Sequence, residues 1–305
     1  MASRPFIGSR PMLIILVASL SIGWGFSWPM MKMALSEFPV WTFRAISCLA
    51  AGLCVLGVAR LANGRLMPQG AEWRAVSLAA LFNVTGWHML IGYGVPLVPA
   101  GHAAVLAYTM PLWVVLIGTA ALREPLEMAS IAGLVLGLAG VLTLIAPDLA
   151  SFGEAPLGVG LVLLGALSWA MGTLVQKHWR TQLPTLAMTG WQLVVGSVPI
   201  LILTPVIEGV HVPEVSTRAW VSGVYITLVA LVLCYYLWFK IVSLMPAGRA
   251  SISTLLVPGL GVISGTLVLG EPFGLREVLA LAFLAGALIL VLMPPMRAAP
   301  EPRTE

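Results

Sequence analysis

Apolar runs close to the length of a membrane-spanning helix recur along the chain, separated by short polar, Pro or Gly breaks. A span needs roughly 20 mostly apolar residues, because a helix rises about 1.5 Å per residue and the hydrocarbon layer is about 30 Å thick. Taking the breaks as boundaries predicts helices near 12–34, 39–60, 73–95, 100–122 and 127–146. Five more are predicted near 156–178, 184–206, 218–243, 247–269 and 274–293. Arg4 and Arg10 precede the first run as in a signal peptide, but no small-residue cleavage site follows, so this run is expected to be a retained span. The tail 294–305, Pro-rich and charged, is expected to be a disordered cytoplasmic terminus.

Composition sharpens this reading. Of 305 residues, 59% are hydrophobic and only 9% charged, with a mean hydropathy of +1.00. A soluble domain carries about a quarter charged residues, so water is not the main solvent of this chain. The net charge of +4 comes from scattered Arg and Lys rather than a basic tract, which argues against a nucleic-acid partner. Cys48, Cys54 and Cys234 fall in apolar runs without metal-ligand spacing and are expected to be small buried hydrophobes. With ten spans both termini face one side. Twelve of the 16 Lys and Arg cluster on that side, and only Lys32, Arg44, Arg218 and Arg276 lie opposite. The positive-inside rule then puts both termini in the cytoplasm.

The chain also repeats itself. A shift of 147 residues sets Ala100–Pro125 on Ala247–Pro272 without a gap, with ten of 26 positions identical. A repeat of five helices is odd, so the second copy enters the membrane from the opposite side. The fold expected is therefore an all-α integral membrane protein of ten transmembrane helices in two inverted five-helix repeats, 1–147 and 148–293. Inverted repeats place a solute site near the bilayer middle, between the halves.

Trp24-Gly25-Phe26-Ser27 followed by Lys32, then Pro39 and Phe43-Arg44, form one distinctive series. Pro111 and Pro258, with Glu124-Pro125 and Glu271-Pro272 at the ends of helices 4 and 9, form a second. In this order they resemble the drug/metabolite transporter (DMT) superfamily in its EamA-type ten-helix branch, over nearly the whole chain. Arg123 replaces the usual Gly of the first "GEP" end. Aromatic richness and length are similar to exporters of aromatic amino acids of the YddG type. The resemblance implies a carrier in the bacterial inner membrane, working by alternating access, with helices 1, 3, 4 and 6 lining its cavity. It also implies export as the direction.

Candidate chemistry is sparse. No Asp or Glu falls in the middle of a predicted span, so the buried carboxylate of many proton-driven pumps is missing. His88, deep in helix 3 beside Trp87 and near Asn83 and Tyr93, either meets a solute or bonds a neighbouring helix. Facilitated movement or exchange is expected, or else a proton dependence carried by His88. His102 is expected at an interface. Trp24, Trp28, Trp87, Tyr93, Tyr108, Trp169, Trp191, Tyr235, Tyr236 and Trp238 lie within spans, as helix packing or as a surface for an aromatic solute. Trp24, Trp87, Tyr108 and Trp169 belong to the helices that the resemblance assigns to the cavity. Trp41, Trp73, Trp179 and Trp220 sit at helix ends, as an interfacial belt would.

Lys32 and Arg44, near the outer ends of helices 1 and 2, either gate the site or snorkel to the interface. Setting Trp24 on Trp169 puts Lys177 in the place of Lys32 on the inner side, a matched gating pair. Pro29, Pro96, Pro111, Pro199 and Pro258 are expected to bend or interrupt spans, and Gly133, Gly137, Gly261 and Gly265 to allow close helix contact. No cofactor, metal site or nucleophile with its base is indicated, which weighs against an enzyme. The partners expected are a small-molecule substrate and lipid, with the chain a monomer or weak dimer. Amino acids, other metabolites or drugs, and a channel mode all remain open at this level.

Overall fold

In the computed structural model, residues 10–62, 64–94, 97, 106–123, 128–145, 156–179, 181–209, 214–270 and 273–292 are described. Pro96, His102, Glu124-Pro125, Glu271-Pro272 and the tail 294–305 lie outside them. The first copy contains α1 (Arg10–Leu35), α2 (Val40–Leu61), α3 (Glu72–Gly94), α4 (Met110–Ala120) and α5 (Met128–Ile145). The second contains α6 (Pro156–His178), α7 (Thr185–Ile207), α8 (Thr217–Leu244), α9 (Ala247–Leu269) and α10 (Leu275–Leu292). Among the described residues seven of these helices are long and apolar enough to cross a membrane, and α4 and α5 add shorter apolar segments. The protein is an all-helical membrane protein.

Packing follows the repeat. α2 lies against α7 and α5 against α10, while α1 contacts α8 and α9 as α6 contacts α3 and α4. Exchanging the two halves maps every one of these pairs onto itself or another in the set. At the α2–α7 contact the backbones nearly touch: a Cβ on Gly52 would stand 2.8 Å from Val194 N, and one on Gly190 3.0 Å from Leu56 N. With lipid outside, close van der Waals approach rather than a hydrophobic drive holds helices together.

Two local irregularities occur twice, at nearly equivalent positions of the copies. α3 is π-helical over Leu81–Gly86 and α8 over Ile226–Leu233, segments whose ends are 147 residues apart. A π stretch frees backbone groups that lipid cannot satisfy. Each copy borrows a donor from the other: Ser168 Oγ of α6 donates to Phe82 O at 2.8 Å, and Trp24 Nε1 of α1 donates to Ala230 O at 3.0 Å. The helix leading into α4 turns at Tyr108-Thr109, and α9 turns at Thr254-Leu255. Pro111 and Pro258 explain this, since proline has no N–H and its ring collides with the carbonyl four residues back. Thr109 and Thr254 hydroxyls close on Leu106 O and Ser251 O at 2.6 and 2.7 Å.

Two expectations are corrected. Cys54 is exposed, unlike the buried Cys48 and Cys234, because a lipid-facing surface is as apolar as a core. Trp41, placed in the interfacial belt by its position at a helix end, is only 5% exposed and packs with Ala45 and Ile200. Trp179 and Trp220 are exposed, as a belt requires.

Candidate functional site

Trp24 on α1, Trp87 on α3 and Trp169 on α6 converge between the two copies. Trp169 stands 5.8 Å from Trp24 and 5.2 Å from Trp87, in edge-on geometry. Behind them α8 supplies Tyr235, 5.4 Å from Trp169, and the fully buried Trp238, 6.1 Å from Trp24. The hydrogen bond from Trp24 to Ala230 O fixes one indole, so its ring is held by the π stretch of α8.

Above this aromatic floor lies a cavity of about 200 Å³. Trp28 and Tyr108, 6.4 Å apart, form part of its wall. The lining runs on to Met31 and Leu35 near the end of α1 and Val40 at the start of α2, so the cavity extends toward the α1–α2 loop. Arg44, one turn into α2, is the single cation among the described lining residues, and no carboxylate joins it there.

His88 does not line the cavity. It is 3% exposed, beneath Trp87, with Nε2 3.3 Å from the Tyr235 hydroxyl. The two residues are 147 apart, the offset of the repeat, so equivalent positions of the two copies meet each other. Tyr235 also donates weakly to Asn83 O at 3.5 Å, and His88 Nδ1 has no partner. Asn83 lies deeper: its Nδ2 donates to Gln192 Oε1 at 3.1 Å, and Gln192 in turn donates to Gln176. These amides tie α3, α7 and α6 together. Tyr93 is not part of the site; it is 44% exposed and its ring lies 5.0 Å from Trp41.

The two lysines occupy opposite ends. Lys177 Nζ donates to Val242 O and Met245 O, both at 2.7 Å, tying the end of α6 to the end of α8. These carbonyls belong to a helix terminus, where lone pairs are free and the dipole favours a cation. Lys32 lines a separate outer hollow with Glu37 and Arg218. There the Glu37 carboxylate accepts from Ser216 N at 2.6 Å and Ser216 Oγ at 2.7 Å, joining the α1–α2 turn to the start of α8. Ser216's N–H, then its hydroxyl, hold the Glu37 carboxyl below its ordinary pKa, with Arg218 adding to the effect.

Sequence reasoning therefore brought Trp24, Trp28, Trp87, Tyr108 and Trp169 to one cavity, and named Tyr235 and Trp238 among the span aromatics without assigning them to its floor. The repeat offset was the available signal for Tyr235, since it carries His88 onto it. Arg44 is a wall residue rather than an interfacial one. Among the described residues no group of His, Cys, Asp or Glu has metal-binding geometry.

An inverted-repeat helical membrane protein with a central cavity between its halves has the architecture of a transporter. Comparison with known proteins sharpens this. The EamA-like transporter family profile matches residues 11–146 and again 156–293. The chain belongs to that family. The uncharacterized transporter YvbV of Bacillus subtilis (strain 168) is 30% identical over 286 residues, covering 91% of this chain and 88% of that one. A probable amino-acid metabolite efflux pump of Escherichia coli (strain K12) is 25% identical, covering 74% and 83% respectively. A crystal structure aligns with a TM-score of 0.80 over 92% of this chain and 96% of its own, at 19% identity, and so shares the fold. The protein is a membrane transporter rather than an enzyme.

Proposed function

We propose that this transporter exports small organic metabolites, amino acids including aromatic ones foremost, across a bacterial inner membrane with both termini in the cytoplasm. The observation that carries the reading is the Trp24–Trp87–Trp169 floor at the junction of the two copies, with an apolar cavity above it open toward one end. Aromatic walls suit a ring-bearing solute through stacking and burial. The similarity to proteins named amino-acid metabolite efflux pumps supports the substrate class.

The mechanism proposed is alternating access. In this scheme Lys177 closes the inner end by binding the last carbonyls of α8. Rocking the two copies about the His88–Tyr235 contact would release Lys177, with Lys32 acting as the matched gate at the outer end. Substrate binding on the Trp floor, the two lysine contacts and a monomeric carrier complete the picture.

The experiment is counterflow in proteoliposomes. Saturable uptake of a labelled aromatic amino acid, stimulated by unlabelled solute inside and lost in Trp169→Ala, is the expected result. Flux that grows without saturation would instead mark a channel and sink the carrier reading.

A further inference from the structure

The donor-only groups of the cavity point to a ligand with a negative end. Arg44 is the one cation among the described lining residues, and its Nε has no acceptor. Trp169, 3% exposed and also in the lining, has an indole N–H with no acceptor. Both are donors only. The acid bound at that end of α2 is already committed: Glu208 accepts from Trp41 N and Thr42 N at 2.8 Å each and from the Thr42 hydroxyl at 3.0 Å, capping α2. The segment 95–105, which runs into the wall residue Ala107, contains no Asp or Glu. A charged group held in an apolar, membrane-embedded wall without a counter-ion is costly, and it is explained when a ligand supplies that ion.

We infer that the cavity selects small organic carboxylates, with the carboxylate paired to Arg44 and an apolar or aromatic body on the tryptophan floor. Guanidinium and carboxylate match in a two-pronged hydrogen bond that an ammonium ligand cannot form. One cation suits a monoanion. A volume of about 200 Å³ lies below the roughly 300–1,000 Å³ of drug-sized sites, which limits the body to about one ring. An α-ammonium group finds the Ser27 and Tyr108 hydroxyls and aromatic faces among the described lining but no carboxylate, so it adds little. The carboxylate is read, and the amine is tolerated. This deepens the proposed function and rests on the same cavity being the transport site.

The test uses the purified full-length chain in nanodiscs and three probes of one shape: 3-phenylpropanoate, L-phenylalanine and 2-phenylethylamine. Binding is followed by quenching of tryptophan fluorescence and by calorimetry. The acid and the amino acid are expected to bind within a few-fold of each other, and the amine at least ten-fold more weakly. Arg44→Gln is expected to lower affinity for the acid at least ten-fold and abolish its advantage over the amine, with Arg44→Lys intermediate; the unliganded melting temperature of each variant reports its folding. Equal binding of acid and amine to the wild type, which needs no variant, overturns the inference. So does undiminished acid binding by folded Arg44→Gln. In both cases counterflow through the Trp169-dependent site survives and the transport reading stands. Failure of all three probes to bind, with Trp169→Ala leaving counterflow unchanged, overturns the reading and the inference together.

Discussion

The two copies share their mechanical devices and differ in their chemistry. Both have a π stretch in their third helix, a proline-linked turn in their fourth, a tryptophan in their first and a lysine eight residues beyond it. Against that, with Trp24 set on Trp169, Arg44 of the first copy corresponds to Thr189 in the second, whose hydroxyl is closed on Thr185 O at 2.8 Å. Trp87 matches Cys234, His88 matches Tyr235, and Tyr108 matches Leu255. Features needed for motion work from both sides of the membrane and so come in pairs. A solute is asymmetric, and the residues that face it need not repeat. The paired π stretches, turns and lysines are thus assigned to the scaffold and gates, and the unpaired Arg44, Trp87 and Tyr108 to the ligand, with Trp24 and Trp169 serving as a shared floor.

The first way to break this comparison is to attack the seam where both copies meet. Gly52→Leu places a side chain against the Val194 backbone, which cannot move without α7. Overpacking of this kind costs about 1–3 kcal/mol or more, so a large fall in melting temperature and folded yield is expected. Normal stability and transport would show that α2 and α7 separate freely.

Next come the paired lysines. Lys177→Met removes two charge-assisted hydrogen bonds, each worth roughly 1.5–3 kcal/mol to the state that makes them. The population should shift toward the inward-open state by on the order of ten-fold or more, read as faster thiol labelling of a Ser251→Cys reporter after the exposed Cys54 is replaced. Lys32→Met should shift it the other way. Identical shifts from both would end the idea of opposed gates.

A smaller effect is expected at the axis. The His88–Tyr235 contact is long for a hydrogen bond, so Tyr235→Phe should slow exchange only several-fold, in line with about 1 kcal/mol. His88→Ala tests more. Should flux still follow an imposed proton gradient in this variant, His88 carries no proton coupling.

Much of this architecture is legible in the sequence because bilayer thickness sets helix length, and outside α4, described as Met110–Ala120 against an expected 100–122, the described helix ends fall within a residue or two of the polar breaks. The direction each residue faces is not. In a membrane the lipid face is as apolar as the core, so helical periodicity is flattened. Tyr93 and Trp41, at the outer ends of neighbouring helices, illustrate this: one was expected at the site and one in the belt, and they stack on each other instead. The π stretches are equally hidden, since nothing in LFNVTG distinguishes a widened turn from an α-helical one. An extra residue in that turn alters the facing of everything beyond it. Asn83, inside the turn, consequently meets Gln192 while Trp87, just past it, meets the cavity. Arg44 was visible as a rare charge, and only its neighbours identify it as part of a wall.

The smallest effect is predicted at the outer rim, where Glu37 joins the α1–α2 turn to α8, as Gln182 N–H joins the α6–α7 turn to α3 by donating to Glu72 Oε1 at 2.9 Å. Ser216's N–H, its hydroxyl and Arg218 all favour the ionised carboxylate, so its folded pKa lies below the ordinary value of 4.5. A depressed acid contributes stability that is present above the unfolded pKa and lost as pH falls through the folded one. The link should therefore be intact at pH 7 and weaken only below about 4.5. Glu37 is fully solvent-exposed, so screening keeps its contribution small. Melting curves of the wild type and Glu37→Gln should differ slightly at neutral pH and converge in acid. A gap that widens on acidification would mean that the neutral carboxyl is the bound form, and that this rim is held by something other than the Ser216 donors.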